Sequence, residues 1–407
     1  MRDRQCTITT VAGMVAVAAS CAFGQDWPQW RGPNRDAKAN GFVAPKTWPK
    51  ELTQKWKVTV GLGDASPAVV GDKLYLFVRQ DADEVLRCLD ATSGKELWSA
   101  KYAAEEVSGP AAQHSGPRSS PAVADGKVVT LGVGGVLSCF DAATGKLLWR
   151  KDDFPGAWPR FYTASSPIIA DGLCLAQLGG ESNGGIAAYD LTTGAQKWKW
   201  TAEGTAYASP VVMTVSGTRM LVALTPKNLV GLGVKDGKLL WEVPFPSQGR
   251  NYNAATPIVD GQTVIFAGAG RGTKAAQIEK SADGFAAKEL WSNPANAVQF
   301  DSPVLKGGQI YGLAQSGALF CLDAKDGKTL WTTDLGGRSY GTIVDAGSAL
   351  LALTPKGELT VFEPSDKEYK KLAAYKVAAT DTYGYPVPAG KGVFVKEKDA
   401  LSFWTTD

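Results

Sequence analysis

Histidine, cysteine and long apolar runs are scarce in this chain of 407 residues, and each scarcity excludes a class of site or protein. The one histidine, His114, has no second histidine with which to bind a metal, and we expect it to be a loop residue. Six cysteines with no Cys-x-x-Cys spacing give no support to a zinc site. No segment is apolar over enough residues to span a bilayer. The 43 basic and 40 acidic residues are mixed along the chain, so nucleic acid is not expected as a partner.

The N-terminus has the pattern of an export signal. Two arginines precede a weakly apolar run at residues 8–19, and the small residues Ala22 and Gly24 stand where a signal peptidase binds its substrate. This predicts a signal peptide over residues 1–24. The alternative is a lipoprotein signal at Cys21, although no leucine stands three residues before it. In either case we expect an exported protein, periplasmic or secreted.

One nine-residue stretch recurs along nearly the whole chain. Residues 141–149 read Asp-Ala-Ala-Thr-Gly-Lys-Leu-Leu-Trp, and close copies occupy residues 90–98 and 323–331. The Asp can bond nearby backbone N–H groups and the Gly can take a positive φ, so each copy predicts a tight turn between two strands. The indole at its end is expected to pack one structural unit against the next. The predicted docking residues are Trp56, Trp98, Trp149, Trp198, Trp241, Trp291 and Trp331.

The spacing of these tryptophans predicts a β-propeller. They are 40 to 51 residues apart, the size of a four-stranded blade. A single strand around Trp56 has no partner strands before it, and the unit that begins at Tyr385 stops before its fourth strand. Pairing of the two ends would complete one blade and remove its exposed edges. We therefore expect an all-β, eight-bladed propeller of antiparallel blades over residues 52–407, preceded by an ordered arm at residues 25–51.

Three of the cysteines occupy one position of the repeat. Cys88, Cys139 and Cys321 each stand two residues before the repeated Asp or its equivalent. Equivalent positions in separate blades are not expected to form a disulfide, because a disulfide needs its two Cα atoms within about 7 Å of each other. We expect them to be small buried residues rather than a disulfide or a metal set.

The repeats resemble a known superfamily. Residues 89–98, Leu-Asp-Ala-Thr-Ser-Gly-Lys-Glu-Leu-Trp, and residues 140–149 are similar to the tryptophan-docking motif of propellers of the pyrroloquinoline-quinone (PQQ) type. That superfamily includes quinoprotein alcohol dehydrogenases and BamB-like outer-membrane assembly lipoproteins. The resemblance covers about residues 52–404, and the opening at residues 27–35, Trp-Pro-Gln-Trp-Arg-Gly-Pro-Asn-Arg, is also similar to the start of secreted BamB-like paralogues. The chain departs from the enzymes, because it has no adjacent cysteine pair and no haem-attachment motif, and the calcium- and quinone-binding Glu, Asn and Asp residues of those enzymes cannot be matched here.

The loops that lead into the innermost strands are the predicted binding surface, because they surround the mouth of the central channel. Arg, Tyr and Asp recur there and suit an anionic or planar ligand or a partner. The alternative is a solvated rim whose tyrosines only cover the inner strands. The candidate residues are Asp64, Arg118, Arg160, Tyr162, Tyr207, Arg250, Tyr252, Asn253, Asp301, Arg338, Tyr340, Asp381 and Tyr383. If the protein oxidises alcohols, Asp301 is the expected base, and otherwise it is expected to cap an inner strand.

Three functions follow from this pattern. The leading hypothesis is a non-catalytic binding or scaffold propeller of the cell envelope, a monomer or a subunit of a complex, with envelope or secreted proteins or peptides as partners and no cofactor or metal. The second is a quinoprotein alcohol dehydrogenase that uses PQQ and Ca²⁺, as the resemblance to those enzymes implies. The third is a polysaccharide-binding module, suggested by the tyrosine and tryptophan content.

Overall fold

Eight four-stranded antiparallel sheets form an eight-bladed β-propeller, which confirms the predicted fold. The structure is a computed structural model, and it describes residues 26–249, 251–314, 316–335 and 340–407. The predicted signal peptide and Cys21 lie outside the described residues. No helix within these ranges is both long enough and apolar enough to cross a membrane.

In seven of the eight blades the four strands follow one another in the chain, from the innermost to the outermost. The first strand of the chain, β1 (Thr53–Thr59), belongs to the last blade. The first four blades consist of β2 (Ala68–Val70), β3 (Lys73–Gln80), β4 (Asp83–Asp90), β5 (Glu96–Ala103), β6 (Ala122–Ala124), β7 (Lys127–Leu131), β8 (Leu137–Asp141), β9 (Leu147–Lys151), β10 (Ile168–Ala170), β11 (Leu173–Gly179), β12 (Gly184–Asp190), β13 (Gln196–Trp200), β14 (Val211–Val215), β15 (Thr218–Leu224), β16 (Asn228–Gly233) and β17 (Leu239–Pro244).

The second half consists of β18 (Ile258–Asp260), β19 (Thr263–Gly268), β20 (Gly272–Ser281), β21 (Gly284–Asn293), β22 (Val304–Lys306), β23 (Gln309–Leu313), β24 (Ala318–Asp323), β25 (Thr329–Asp334), β26 (Thr342–Asp345), β27 (Leu350–Leu353), β28 (Glu358–Glu363), β29 (Lys370–Lys376), β30 (Val387–Ala389), β31 (Gly392–Lys396) and β32 (Ala400–Thr405). A short 3₁₀ helix, Gly109–His114, interrupts the long loop between β5 and β6.

The two ends of the chain close the ring in one blade. Strand β1 pairs antiparallel with β32, and the strand order of this eighth blade is β1-β32-β31-β30. Trp56 of β1 stands opposite Phe403 of β32. The pairing gives the last blade its fourth strand, as the sequence predicts.

Apolar side chains of adjacent blades form the core. Val222 and Leu224 of the fourth blade, for example, belong to one buried cluster with Val264 and Phe266 of the fifth. Burying each such side chain stabilises the fold by roughly 1.5–3 kcal/mol. The described cysteines Cys88, Cys139, Cys174 and Cys321 are buried and free, as expected for small core residues.

Most of the repeated tryptophans bond to the next blade. Five indole N–H groups donate to a backbone carbonyl there, as Trp198 does to Val234 at 2.9 Å; the others are Trp56, Trp149, Trp291 and Trp331. Trp241 donates instead to the sulfur of Met220 in its own blade, because a long β20–β21 hairpin replaces the turn in the fifth blade. Trp98 has no partner for its buried N–H among the described residues. The equivalent carbonyl, that of Ala142, accepts the hydroxyl of Tyr75.

The N-terminal arm occupies the channel. Trp27 forms a two-way backbone bridge with Val69 of β2, and the chain later pairs with Asp345 of β26 through Ala37 and Ala39. β2 and β26 are innermost strands, and both contacts lie near their C-terminal ends, away from the loops that lead into these strands. The arm therefore enters and leaves the channel at the same end. We call residues 27–39 the channel plug.

Candidate functional site

The loops that lead into the innermost strands surround a cavity of about 650 Å³ at one mouth of the channel. We call it the mouth cavity. It is lined by Trp30, Asp64, Pro110, Ala111, His114, Arg118, Arg160, Phe161, Ala164, Tyr207, Ser209, Tyr252, Ala254, Phe300, Asp301, Tyr340 and Tyr383.

Most of the candidate residues meet in this cavity. Those that line it are Asp64, Arg118, Arg160, Tyr207, Tyr252, Asp301, Tyr340 and Tyr383. Three others do not line it: Tyr162 is buried beneath the β5–β6 loop, Asn253 is buried among backbone carbonyls, and Asp381 is exposed outside it. Arg250 and Arg338 lie outside the described residues.

The channel plug supplies the inner boundary of the mouth cavity. The indole N–H of Trp30 donates to the hydroxyl of Thr256 at 2.9 Å, and its ring meets Tyr385 edge-on at 4.8 Å. Trp30 lines the cavity, and Arg31 and Arg35 of the plug are buried behind it. Among the described residues, the cavity is thus closed on the side that faces the channel.

Two buried arginines hold the plug in place. Arg31 donates to the carbonyls of Ser302 and Pro303 at 2.9 and 2.7 Å. Arg35 donates to the carbonyls of Pro167 and Pro210, which begin the third and fourth blades. Their side chains are 0% and 2% exposed, respectively. Each guanidinium carries several donors, so one side chain can bond carbonyls from more than one strand. Burial lowers the pKa of Arg35 to about 9.

Aromatic side chains form much of the cavity wall. Tyr252 meets both Phe161 and Tyr207 edge-on, at 5.2 and 5.5 Å between ring centroids. Across the sixth and seventh blades, Phe300 pairs with Tyr340 at 4.8 Å between ring centroids. Phe300 is still 44% exposed. The wall therefore presents aromatic surface that the fold itself does not cover.

His114 and Asp64 form a bonded pair at the edge of the cavity. The imidazole Nδ1 lies 2.7 Å from a carboxylate oxygen of Asp64, and the ring meets Tyr383 edge-on at 4.9 Å. His114 is in the inserted 3₁₀ helix, which places it over the mouth. From the sequence, His114 is expected to be a loop residue without a part in the site, whereas the structure places it in the cavity wall.

The two described arginines of the cavity differ in how they are held. Arg118 donates to the carbonyls of Phe161 and His114 at 2.6 and 2.7 Å, so it fastens the inserted loop to the third blade. Burial lowers its pKa from the usual range, and the charge of Asp64 opposes that shift. Arg160 is exposed, with its guanidinium 5.7 Å from the ring centre of Phe161.

Asp301 is a desolvated carboxylate in the wall. One oxygen accepts a hydrogen bond of 2.8 Å from the N–H of Gly341 in the next blade. Burial raises the pKa of this carboxyl to about 6, against the opposing effects of that hydrogen bond and the charge of Arg31. A carboxyl with this pKa can exchange a proton near neutral pH, and it also fastens the sixth blade to the seventh.

The polar groups of the cavity do not form a metal site. Within the described residues, no three side chains of the His, Cys, Asp or Glu type come together in a way that would hold a metal ion. Asp64 is bonded to His114, and Asp301 to a backbone N–H. This donor set does not fit Ca²⁺, which takes six to eight oxygen ligands.

Several residues of the site are absent from the predicted set, above all those of the plug and the inserted loop. The additional lining residues are Trp30, Pro110, Ala111, His114, Phe161, Ala164, Ser209, Ala254 and Phe300. Phe161 and Phe300 are the sequence neighbours of the candidates Arg160 and Asp301, so their adjacency to the repeated position is the signal that marks them. No repeat signal marks Trp30 or His114, because both lie in segments outside the repeat.

Known proteins resemble the chain in both sequence and structure. The outer membrane protein assembly factor BamB of Burkholderia pseudomallei is 24% identical over 363 residues, which cover 86% of each chain. A quinohemoprotein alcohol dehydrogenase of Comamonas testosteroni is 28% identical over 140 residues, or 34% of this chain and 19% of that protein.

Solved structures share the fold. BamB from Moraxella catarrhalis superposes with a TM-score of 0.66 at 14% identity, over 87% of this chain and 99% of that one. The quinohemoprotein alcohol dehydrogenase from Comamonas testosteroni gives 0.70 at 15% identity, over 95% and 81%. At such identities the likeness concerns the fold alone. The family described as outer membrane protein assembly factor BamB matches residues 46–180, 81–333 and 288–407. The chain belongs to this family of propellers.

Proposed function

We propose that the chain is an exported, non-catalytic binding propeller of the cell envelope, which holds a protein or peptide partner at the mouth cavity. The relatives named as outer membrane protein assembly factors support an envelope role and a protein partner. The family match supports the same role over the whole propeller.

One observation carries the proposal: the mouth cavity is an aromatic pocket closed by the chain's own plug. A ligand can bind there from the side that faces away from the plug, because Trp30 of the plug lines the inner side of the cavity. Volumes of about 300–1,000 Å³ with mostly apolar walls and a few polar groups are typical of binding pockets. Interface hot spots likewise favour well-packed pockets with aromatic residues.

The polar groups of the cavity support binding rather than catalysis. Arg118 is bonded to two carbonyls, Asp64 to His114, and Asp301 to a backbone N–H. These bonds join neighbouring loops and stabilise the shape of the mouth. A rigid, preorganised surface reduces the entropic cost of binding a partner.

Site-specific photocross-linking tests the proposal in the native envelope. The photoreactive amino acid p-benzoylphenylalanine is placed at Phe300, which is exposed in the mouth cavity, and at Lys146 as a matched control. Lys146 is exposed in the β8–β9 turn, at the opposite end of the propeller. We expect a discrete cross-linked protein from position 300 and none from position 146. The same products from both positions, or none from position 300, would contradict the proposal.

A further inference from the structure

We infer that the mouth cavity accepts an aromatic side chain carried by an extended segment of the partner. This inference rests on the proposed function, since it names what the partner inserts. It concerns the type of side chain that enters the cavity and not the identity of the protein that carries this side chain.

One aromatic side chain of the protein itself, that of Trp30, is already held beside the cavity by a hydrogen bond and an edge-on ring contact. Trp30 enters from the other end of the channel, donates its indole N–H to Thr256, and packs edge-on against Tyr385. Its ring is half-buried and faces the mouth cavity from within. The loops that lead into β18 and β30 thus bind an indole of the same chain directly below the space offered to the partner.

The cavity wall offers aromatic surface to a second ring. Tyr252, with Phe161 and Tyr207, forms one aromatic group, and Phe300 with Tyr340 forms another. Phe300 is 44% exposed and Tyr383 is 36% exposed, so both have surface left to cover. An inserted ring would gain edge-to-face contacts in addition to apolar burial, and an aliphatic side chain would gain only the burial.

The polar groups around the mouth suit the backbone of a peptide. Arg160 is an exposed donor on the third blade, whereas Asp301 on the sixth is a carboxylate acceptor. Between them, His114 has one ring nitrogen bonded to Asp64. Peptide groups present both N–H donors and carbonyl acceptors, so groups of both kinds around the pocket can bond the chain on either side of an inserted side chain.

The experiment measures the binding of blocked tripeptides, N-acetyl-Gly-X-Gly-amide, to the full exported chain by ligand-observed NMR titration. The residue X is tryptophan, phenylalanine, cyclohexylalanine, alanine or arginine. Cyclohexylalanine is the matched control for phenylalanine, because it is similar in size and apolar but has no aromatic ring. We expect saturable binding of the tryptophan and phenylalanine peptides, with phenylalanine about fivefold tighter than cyclohexylalanine.

Variants locate the binding in the mouth cavity. Tyr252→Ala and Phe300→Ala should each weaken binding of the tryptophan peptide by at least about tenfold, since each removes a ring from the wall. Leu239→Ala is the control, because Leu239 is an exposed apolar residue of β17 outside the cavity and its loss should leave binding unchanged. Thermal unfolding of each variant confirms that it is folded before the titration is interpreted.

Four results would overturn the inference. They are equal binding of the phenylalanine and cyclohexylalanine peptides, tighter binding of the arginine peptide, saturable binding of a neutral trisaccharide such as cellotriose in place of any peptide, and no saturable binding at millimolar peptide. If one of these occurs while position 300 still cross-links to a protein in the envelope, only this inference fails. If the cross-link is also absent, the proposed function fails with it.

Discussion

The guanidinium of Arg31 donates a hydrogen bond of 2.7 Å to the hydroxyl of Tyr385, and so joins the plug to the start of the last blade. The same hydroxyl accepts from the N–H of Ser302 at 2.9 Å. One buried group from the N-terminal arm therefore links the sixth and eighth blades across the channel. This arrangement makes the arm part of the core of the ring.

Arg31→Ala should destabilise the fold by about 3 kcal/mol. The substitution leaves the carbonyl of Pro303 without its donor and removes one of the two donors to the carbonyl of Ser302, which keeps that of the Tyr385 hydroxyl. Each buried unpaired polar group costs about 1–3 kcal/mol. Urea unfolding measures the effect. Arg219→Ala is the control, because Arg219 forms an exposed ion pair with Asp171 and its loss should cost less than about 1 kcal/mol. Equal losses in the two variants would show that the plug does not stabilise the ring.

Trp198→Phe should destabilise the protein more than Trp98→Phe, by about 1 kcal/mol. The first substitution removes the donor to the Val234 carbonyl, whereas the indole N–H of Trp98 is buried without a partner among the described residues. Both variants lose the same part of an indole ring, so the difference between their free energies of unfolding reports the hydrogen bond. Chemical unfolding of the two variants provides the measurement, and an equal cost for both would contradict the role of the interblade bond.

Asp301 should make stability depend on pH between about 4 and 6. Its pKa is raised to about 6 in the fold, above the value of about 4 for an unfolded chain, so the folded state binds the proton more tightly. The contribution of this residue to stability should therefore increase as pH falls from 6 towards 4, and the burial penalty should be fully present above pH 6. Comparison of unfolding free energies with those of Asp301→Asn across this range isolates the contribution. An identical pH profile for the variant would disprove the shifted pKa.

The four described cysteines should be unreactive in the folded protein. Burial raises the pKa of Cys88, Cys139 and Cys321 to about 12, so almost no thiolate forms at neutral pH. Cys174 is also buried and its pKa is also raised. Titration with a chromogenic disulfide reagent should detect none of these thiols under native conditions and all four in denaturant. Rapid labelling of any of them in the native protein would contradict this burial.

The fold could be predicted from the sequence because the turns and docking tryptophans that define it are short segments that repeat along the chain. Each turn of the type at residues 141–149 specifies two strands and one docking tryptophan, and the unpaired strand at Trp56 specifies how the ring closes. The loop positions before each inner strand also follow from the repeat, so most of the candidate residues lie together. These features can be predicted from the turn residues, the strand patterns and the number of blade repeats.

The plug and the His114–Asp64 pair were not predictable in the same way. Arg35 contacts Pro210, which is 175 residues away, and His114 contacts Asp64 from a loop that only one blade has. Neither segment has a strand period that indicates its path. Their positions follow from packing across the assembled ring, where buried guanidinium and carboxylate groups must find partners.

Native-state hydrogen exchange of residues 26–39 tests the central claim most directly, because the closed mouth cavity depends on an arm that stays in the channel. The amides of Trp27 and Ala39 donate to carbonyls of the first and seventh blades. They should exchange as slowly as the amide of Val69, which donates to Trp27 in return. Protection equal to that of the inner strands would establish the plug as part of the cooperative fold. Exchange at the rate of an exposed loop, with the propeller still folded, would contradict the closed channel and the site built on it.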